Sequence, residues 1–213
     1  MIDVKKALKH LANDKTLFDA IRYLEIPTFE RKNSHARTPF HALAESIVYQ
    51  QLAGKAAETI FNRVLALFPN KKLTPQHLLK LSDAQLRGAG LSGQKMSYMR
   101  DLAQKFLDGT IDEKNLHRWP DEKIREHLIS VKGIGRWTAD MFLIFYLHRP
   151  DVFPSGDLGI QKGFQKLYAM KKLPTARQME RVAATWSPWR TVASRYLWNL
   201  QDQKGEILLP EFF

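Results

Sequence analysis

The chain has 213 residues, enough for one large domain or two small ones with real cores, and its 44% hydrophobic and 26% charged residues are ordinary for a globular protein. Lysine and arginine outnumber aspartate and glutamate 33 to 22, and the resulting net charge of +11 attracts polyanions and makes nucleic acid the leading partner class. There is no cysteine, which excludes disulfides, thiolate metal sites, iron–sulfur clusters and cysteine nucleophiles; the seven histidines show no HExxH or paired-ligand spacing.

The first eighteen residues read as an amphipathic helix of mixed charge, without the unbroken apolar core of a signal peptide. No later stretch approaches a membrane span. The protein is therefore expected to stay where it is made, in cytoplasm or nucleoid (the nucleus in a eukaryote), with no membrane partner. Helical periodicity then predicts helices at Val4–Leu11, Leu17–Leu24, Ala42–Gln51, Ala53–Phe68, Pro75–Leu81, Asp83–Gly88, Gln94–Asp108 and Asp121–Ser130. Four more follow at Trp137–Leu147, Asp157–Leu167, Thr175–Thr185 and Pro188–Gln201. Stops fall at Gly88, Gly90, Gly109, Pro150 and Pro154, where chain physics expects them. Phe29–Pro39 is polar, basic and loop-like, and no strand alternation is convincing, so the fold class is all-α.

Between two of these helices lies Val131-Lys132-Gly133-Ile134-Gly135. Paired glycines permit a tight turn and close approach of backbone amides to a ligand. Those amides, with the positive end of the next helix, form an anion site suited to a DNA phosphate. Ile134 would plug the turn, and Lys132 and Arg136 would add charge. Shortly downstream, Asp157 opens a helix. Aspartate is favoured as an N-cap, and a helix N-terminus favours its ionised form. A carboxylate in that state suits electrostatic stabilisation of a developing positive charge better than general-base work. Asp140 and Asp151 are rival acids, read as solvated or structural.

The run Leu128-x-x-Val131-Lys132-Gly133-Ile134-Gly135-x-x-Thr138-Ala139, followed by Pro154-Ser155-Gly156-Asp157, resembles the helix-hairpin-helix (HhH-GPD) DNA glycosylase superfamily. Arg136-Trp137-Thr138-Ala139 and Trp186-Ser187-Pro188-Trp189-Arg190 resemble its 3-methyladenine DNA glycosylase II (AlkA-like) branch, in a compact form without the N-terminal α/β domain. The resemblance runs from about Pro39 to Trp198. It implies two helical domains, a central bundle over 39–135 and a second made of 1–38 plus 136–213, with the active site in the cleft between them. It implies Asp157 as the catalytic carboxylate. Where lyase-type relatives carry a nucleophilic lysine this chain has Trp137, and neither Lys132 nor Lys162 matches that position, so hydrolysis without strand nicking is expected.

The resemblance also implies a base pocket of Trp137, Met141, Trp198 and Asn199. An electron-poor, cationic alkylated purine suits aromatic walls. Trp186 and Trp189 are read as core. Gln51 matches the family's intercalating wedge, with Gln50 and Leu52 as close rivals. A second glycine corner with Gly90, Ser92, Gly93 and Lys95 could grip the DNA backbone. The implied partner is double-stranded DNA containing alkylated bases such as 3-methyladenine and 7-methylguanine, met by a monomer. No cofactor or catalytic metal is implied, although the hairpin carbonyls could hold a monovalent cation. The rivals are a non-catalytic hairpin protein that only binds DNA, and a glycosylase for deaminated or oxidised bases.

Overall fold

In the computed structural model the described residues are 2–22, 24 and 38–202. Among them the chain forms twelve α-helices and no strand, as the periodicity requires. The chain divides into two compact units, residues 31–142 and residues 1–30 with 143–213.

The first unit holds α3 to α9: Pro39–Tyr49, Gly54–Ala66, Pro75–Lys80, Asp83–Gly88, Gly93–Leu107, Asp121–Ile129 and Arg136–Met141. α3 buries Phe40, Leu43, Ala44, Ile47 and Val48, the 3–4 spacing of a single apolar stripe. α7 answers with Met96, Met99, Leu102 and Ala103, and α8 with Ile124 and Leu128. Burying each Phe, Leu, Ile, Val or Met among these contributes about 1.5–3 kcal/mol, which is what assembles helices too short to stand alone. The second unit holds α1 (Val4–Leu11), α2 (Lys15–Ile21), α10 (Leu158–Leu167), α11 (Ala176–Ala183) and α12 (Arg190–Asp202). Its core gathers Leu11, Leu17, Ile160, Phe164, Met179, Trp186, Val192, Tyr196 and Leu197.

Capping side chains set most helix starts. Asp14 caps α2 and so begins it earlier than the apolar pattern alone suggests. Thr38 caps α3 and Pro39 takes its first position, so those two residues start a helix, while 29–37 of the expected loop lie outside the described residues. Ser82 and Thr175 form full capping boxes on α6 and α11. The long helix expected over Trp137–Leu147 instead ends at Met141 and runs into a π turn, Phe142–Tyr146. Pro188 precedes α12 rather than opening it.

Helix α9 stays with the hairpin that precedes it, so the division falls after Phe142 and not after Gly135. The reason is local: Thr138 and Ala139 are buried, and Arg125 of α8 donates to Asp140 at 2.7 Å. Burial holds the Asp140 carboxyl above the usual carboxylate range, against the opposing pull of Arg125.

Candidate active site

The hairpin is built as its glycines demand. The Ile134 amide donates to Val131 O at 3.1 Å, and Ile134 is buried as the plug. Gly133 has φ +80°, and a Cβ there would sit 2.1 Å from the Tyr98 ring, so glycine is required by conformation and by space. The hairpin amides are not all available to an anion, because Lys132 N donates to Asp101 Oδ2 at 2.8 Å. No side chain caps α9, whose N-cap is Gly135. The Lys132 and Arg136 side chains are exposed. Arg136 meets Glu122 at 3.4 Å, a surface pair too weak to hold it back from a phosphate.

The corner between α3 and α4 carries Gln50, Gln51 and Leu52. Gln51 is exposed with φ +58°, a left-handed conformation that costs a non-glycine residue free energy. Leu52 is also exposed. Gln50 is tied down: its side-chain amide donates to Gly133 O at 2.9 Å.

The second glycine corner departs from its expected role. Gly90 turns with φ +102°, Ser92 caps α7 by accepting from Lys95 N, and Gly93 opens that helix. The Lys95 ammonium, expected to grip DNA, donates instead to Val48 O at 2.6 Å and Gln50 O at 2.9 Å. Burial pushes its pKa down from that of a free lysine.

Beside the α3–α4 corner opens a cavity of about 480 Å³ lined by Ser46, Tyr49, Gln50, Gln51, Trp137, Thr138 and Met141. No Asp, Glu, Lys or Arg is among these lining residues, and Trp137 stands 50% exposed as an aromatic wall. Such a cavity selects by shape and stacking, not by ion pairing. A cavity of similar size in this unit, about 530 Å³, has a charged lining instead, with Glu45, Glu58, Lys71 and Lys72 at its border.

In the other unit Asp157 is the N-cap of α10. Its Oδ1 accepts from Ile160 N at 2.8 Å and from Trp198 Nε1 at 2.8 Å. Two donors on one oxygen fix the carboxylate plane. The Asp157 amide donates to Pro154 O, closing the Pro154-Ser155-Gly156 turn before it. The meeting with Trp198 depends on two glycines on one face of α10. A Cβ at Gly159 would lie 2.9 Å from Trp198 Cδ1, and one at Gly163 would lie 2.1 Å from Leu197 O. Their absence of side chains lets α12 come close enough for the indole to reach the acid.

The structure therefore gives Trp198 a bond to the catalytic candidate that sequence reading had not foreseen. It also adds Phe145. This ring is 48% exposed, stacks on Trp198 at 5.8 Å between centroids, and has the Arg195 guanidinium 5.2 Å from its centre. It lies within the apolar run Phe142–Tyr146, where the chain makes its π turn. Asn199 follows Trp198 on α12, half-buried. Trp186 is fully buried with its indole N–H on Asp14, and Trp189 packs partly buried on the same core.

The rival acids serve structure. Asp140 pairs with Arg125. Asp151 accepts from Arg190 Nε at 2.7 Å, Arg190 Nη2 at 2.9 Å and Ser187 Oγ at 2.8 Å. Burial opposes ionisation of Asp151, but these bonds together outweigh it and hold the carboxyl below its usual range. Lys162 is exposed on α10.

A model of the HhH-GPD superfamily of base excision DNA repair proteins matches residues 44–189. The chain is 34% identical to the DNA-3-methyladenine glycosylase 1 of Schizosaccharomyces pombe over 170 residues, which span 79% of this chain and 75% of that protein. The solved S. pombe 3-methyladenine DNA glycosylase in complex with abasic DNA superposes with a TM-score of 0.80 at 32% identity, covering 91% of this chain and 95% of that one. A DNA-3-methyladenine glycosidase from Bacillus halodurans gives 0.80 at 35% identity, covering 91% and 87%.

Proposed function

This chain belongs to the HhH-GPD superfamily of base excision DNA repair proteins, and from that premise we propose that it is a monofunctional DNA glycosylase that removes alkylated purines such as 3-methyladenine and 7-methylguanine. DNA is its partner. The observation that carries the chemistry is the Asp157 carboxylate, fixed by Ile160 N and Trp198 Nε1 at the start of α10.

Extrusion of the damaged nucleotide comes first, with the exposed Gln51 at the α3–α4 corner as wedge and the hairpin backbone as phosphate grip. The flipped purine enters the uncharged cavity against Trp137 and Met141. Its positive charge is satisfied by the aromatic face, which makes no demand for a particular hydrogen-bonding edge. As the bond from C1′ to the base nitrogen breaks, its electron pair leaves with the base, whose cationic ring becomes neutral. No general acid is needed. The positive sugar left behind is stabilised by Asp157. Water then adds to C1′ and releases a proton to solvent, leaving an abasic site. With Trp137 where a lyase has its lysine, no Schiff base forms and the strand stays intact.

The test is release of 7-methylguanine, 3-methyladenine, hypoxanthine and 1,N6-ethenoadenine from defined duplexes. The alkylated purines should be released, and Asp157→Asn should slow release roughly 100-fold or more, the scale of losing one preorganised electrostatic group. Asparagine caps a helix as well as aspartate, so folding should be preserved. Release of none of the four would favour DNA binding without catalysis. Release confined to hypoxanthine or ethenoadenine would move the specificity to deaminated or etheno bases.

A further inference from the structure

One face of α7 touches both DNA-facing devices of its unit. Lys95, Tyr98 and Asp101 recur every three residues along it. Tyr98 lies under Gly133, so closely that no Cβ fits between them. Asp101 accepts the Lys132 amide. Lys95 reaches the α3–α4 corner, where its ammonium donates to Val48 O and Gln50 O.

The last carbonyls of a helix have no partner within it, and the negative end of the helix dipole favours a cation there. Lys95 supplies that cation from a neighbouring helix. Gln50 closes the triangle by donating to Gly133 O. Directly after these ties comes Gln51 in its left-handed conformation, the kind of backbone that persists only when its surroundings over-determine it.

We propose that Lys95 is a positioning residue for base extrusion: by capping the carbonyl end of α3 it holds the Gln50–Leu52 corner at a set distance from the hairpin, so that gripping a phosphate and filling the vacated stack occur as one rigid event. Lys95 itself makes no contact with the phosphate or the base. The inference rests on the glycosylase function proposed above.

The experiment measures single-turnover release of 7-methylguanine from two duplexes, one with the lesion opposite cytosine and one with it opposite a tetrahydrofuran spacer, where unpairing costs less. Lys95→Met keeps the aliphatic stem and removes the donors. It should slow release from the paired duplex roughly tenfold and from the spacer duplex several times less. Gln51→Ala should show the same bias, and the double variant should be no slower than Gln51→Ala alone, because Lys95 acts through the wedge. Equal losses on both duplexes, or multiplied losses in the double variant, would mean a general structural role and overturn the proposal. Full activity of Lys95→Met on the paired duplex would overturn it too. Failure of the wild-type protein to release 7-methylguanine from either duplex would instead count against the glycosylase function. Should the methionine variant not fold, Lys95→Gln, which is shorter and removes the charge that favours the negative helix end, should show the same bias between the two duplexes, and equal losses on both would overturn the proposal.

Discussion

Replacing Gln51 by glycine separates backbone strain from wedge action in one substitution. Gln51 has φ +58° and an exposed side chain, so little packing is lost with it. A non-glycine residue in the left-handed region costs roughly 1–2 kcal/mol, which glycine relieves. Glycine also gives the unfolded chain more freedom, which takes back about 0.4–1 kcal/mol. The net effect is a stabilisation of roughly 0.5–1 kcal/mol, or a rise in Tm of roughly 1–4 °C for a chain of this size. Excision should move the other way, falling about tenfold or more on a paired duplex as nothing fills the gap left by the flipped base. Calorimetry and single-turnover base release on the same preparation read both quantities. A lower Tm would refute the strain at this corner. A higher Tm with undiminished excision would refute Gln51 as the wedge and pass that role to Leu52.

Trp198→Phe keeps a ring to stack on Phe145 but removes the indole donor to Asp157. A bond to a charged group contributes about 1.5–3 kcal/mol, so kcat should fall roughly 10- to 100-fold if it is expressed in the transition state, with affinity for abasic DNA little changed. Gly163→Ala would drive a methyl group to 2.1 Å from Leu197 O and part α12 from α10. Denaturant titration should show a loss of about 1–3 kcal/mol or more, and unchanged stability would contradict the close approach. The depressed carboxyl of Asp151 sets a pH dependence. Its folded-state pKa lies below the ordinary aspartate value of 3.8, so its bonds to Arg190 and Ser187 stabilise the fold fully above that value. That contribution should disappear as pH falls below about 4 and through the folded-state pKa, and Asp151→Asn should flatten this part of the stability curve.

Most of the helices, the hairpin and the candidate catalytic acid were legible in the residues because each is a local device. A 3–4 apolar spacing names the buried face of α3 wherever α3 packs. Gly133 and Gly135 declare a tight turn through their own backbone freedom, and Asp157 declares a helix start through a hydrogen bond to a residue three positions on. Boundaries were less legible where a cap or a π turn intervened, as at Asp14 and at Phe142–Tyr146. What no local pattern carries is the partner of a side chain distant in sequence. Lys95 read as a phosphate grip because a lysine beside a glycine corner is usually solvated; only packing of α7 on α3 reveals carbonyls 45 and 47 positions away that claim its ammonium. Asp140 and Asp151 read as solvated or structural from the sequence, but their partners, Arg125 and Arg190, came only with the fold. Trp198 reaches Asp157 across 41 positions because Gly159 and Gly163 clear its path, and a glycine in a helical sequence does not say which helix it admits. Residue pattern alone was enough for most of the helices and for the chemical types at the candidate site. Packing chose which donors hold the Asp157 carboxylate and which carbonyls claim Lys95, since periodicity identifies a helix's buried face but not the element that will cover it.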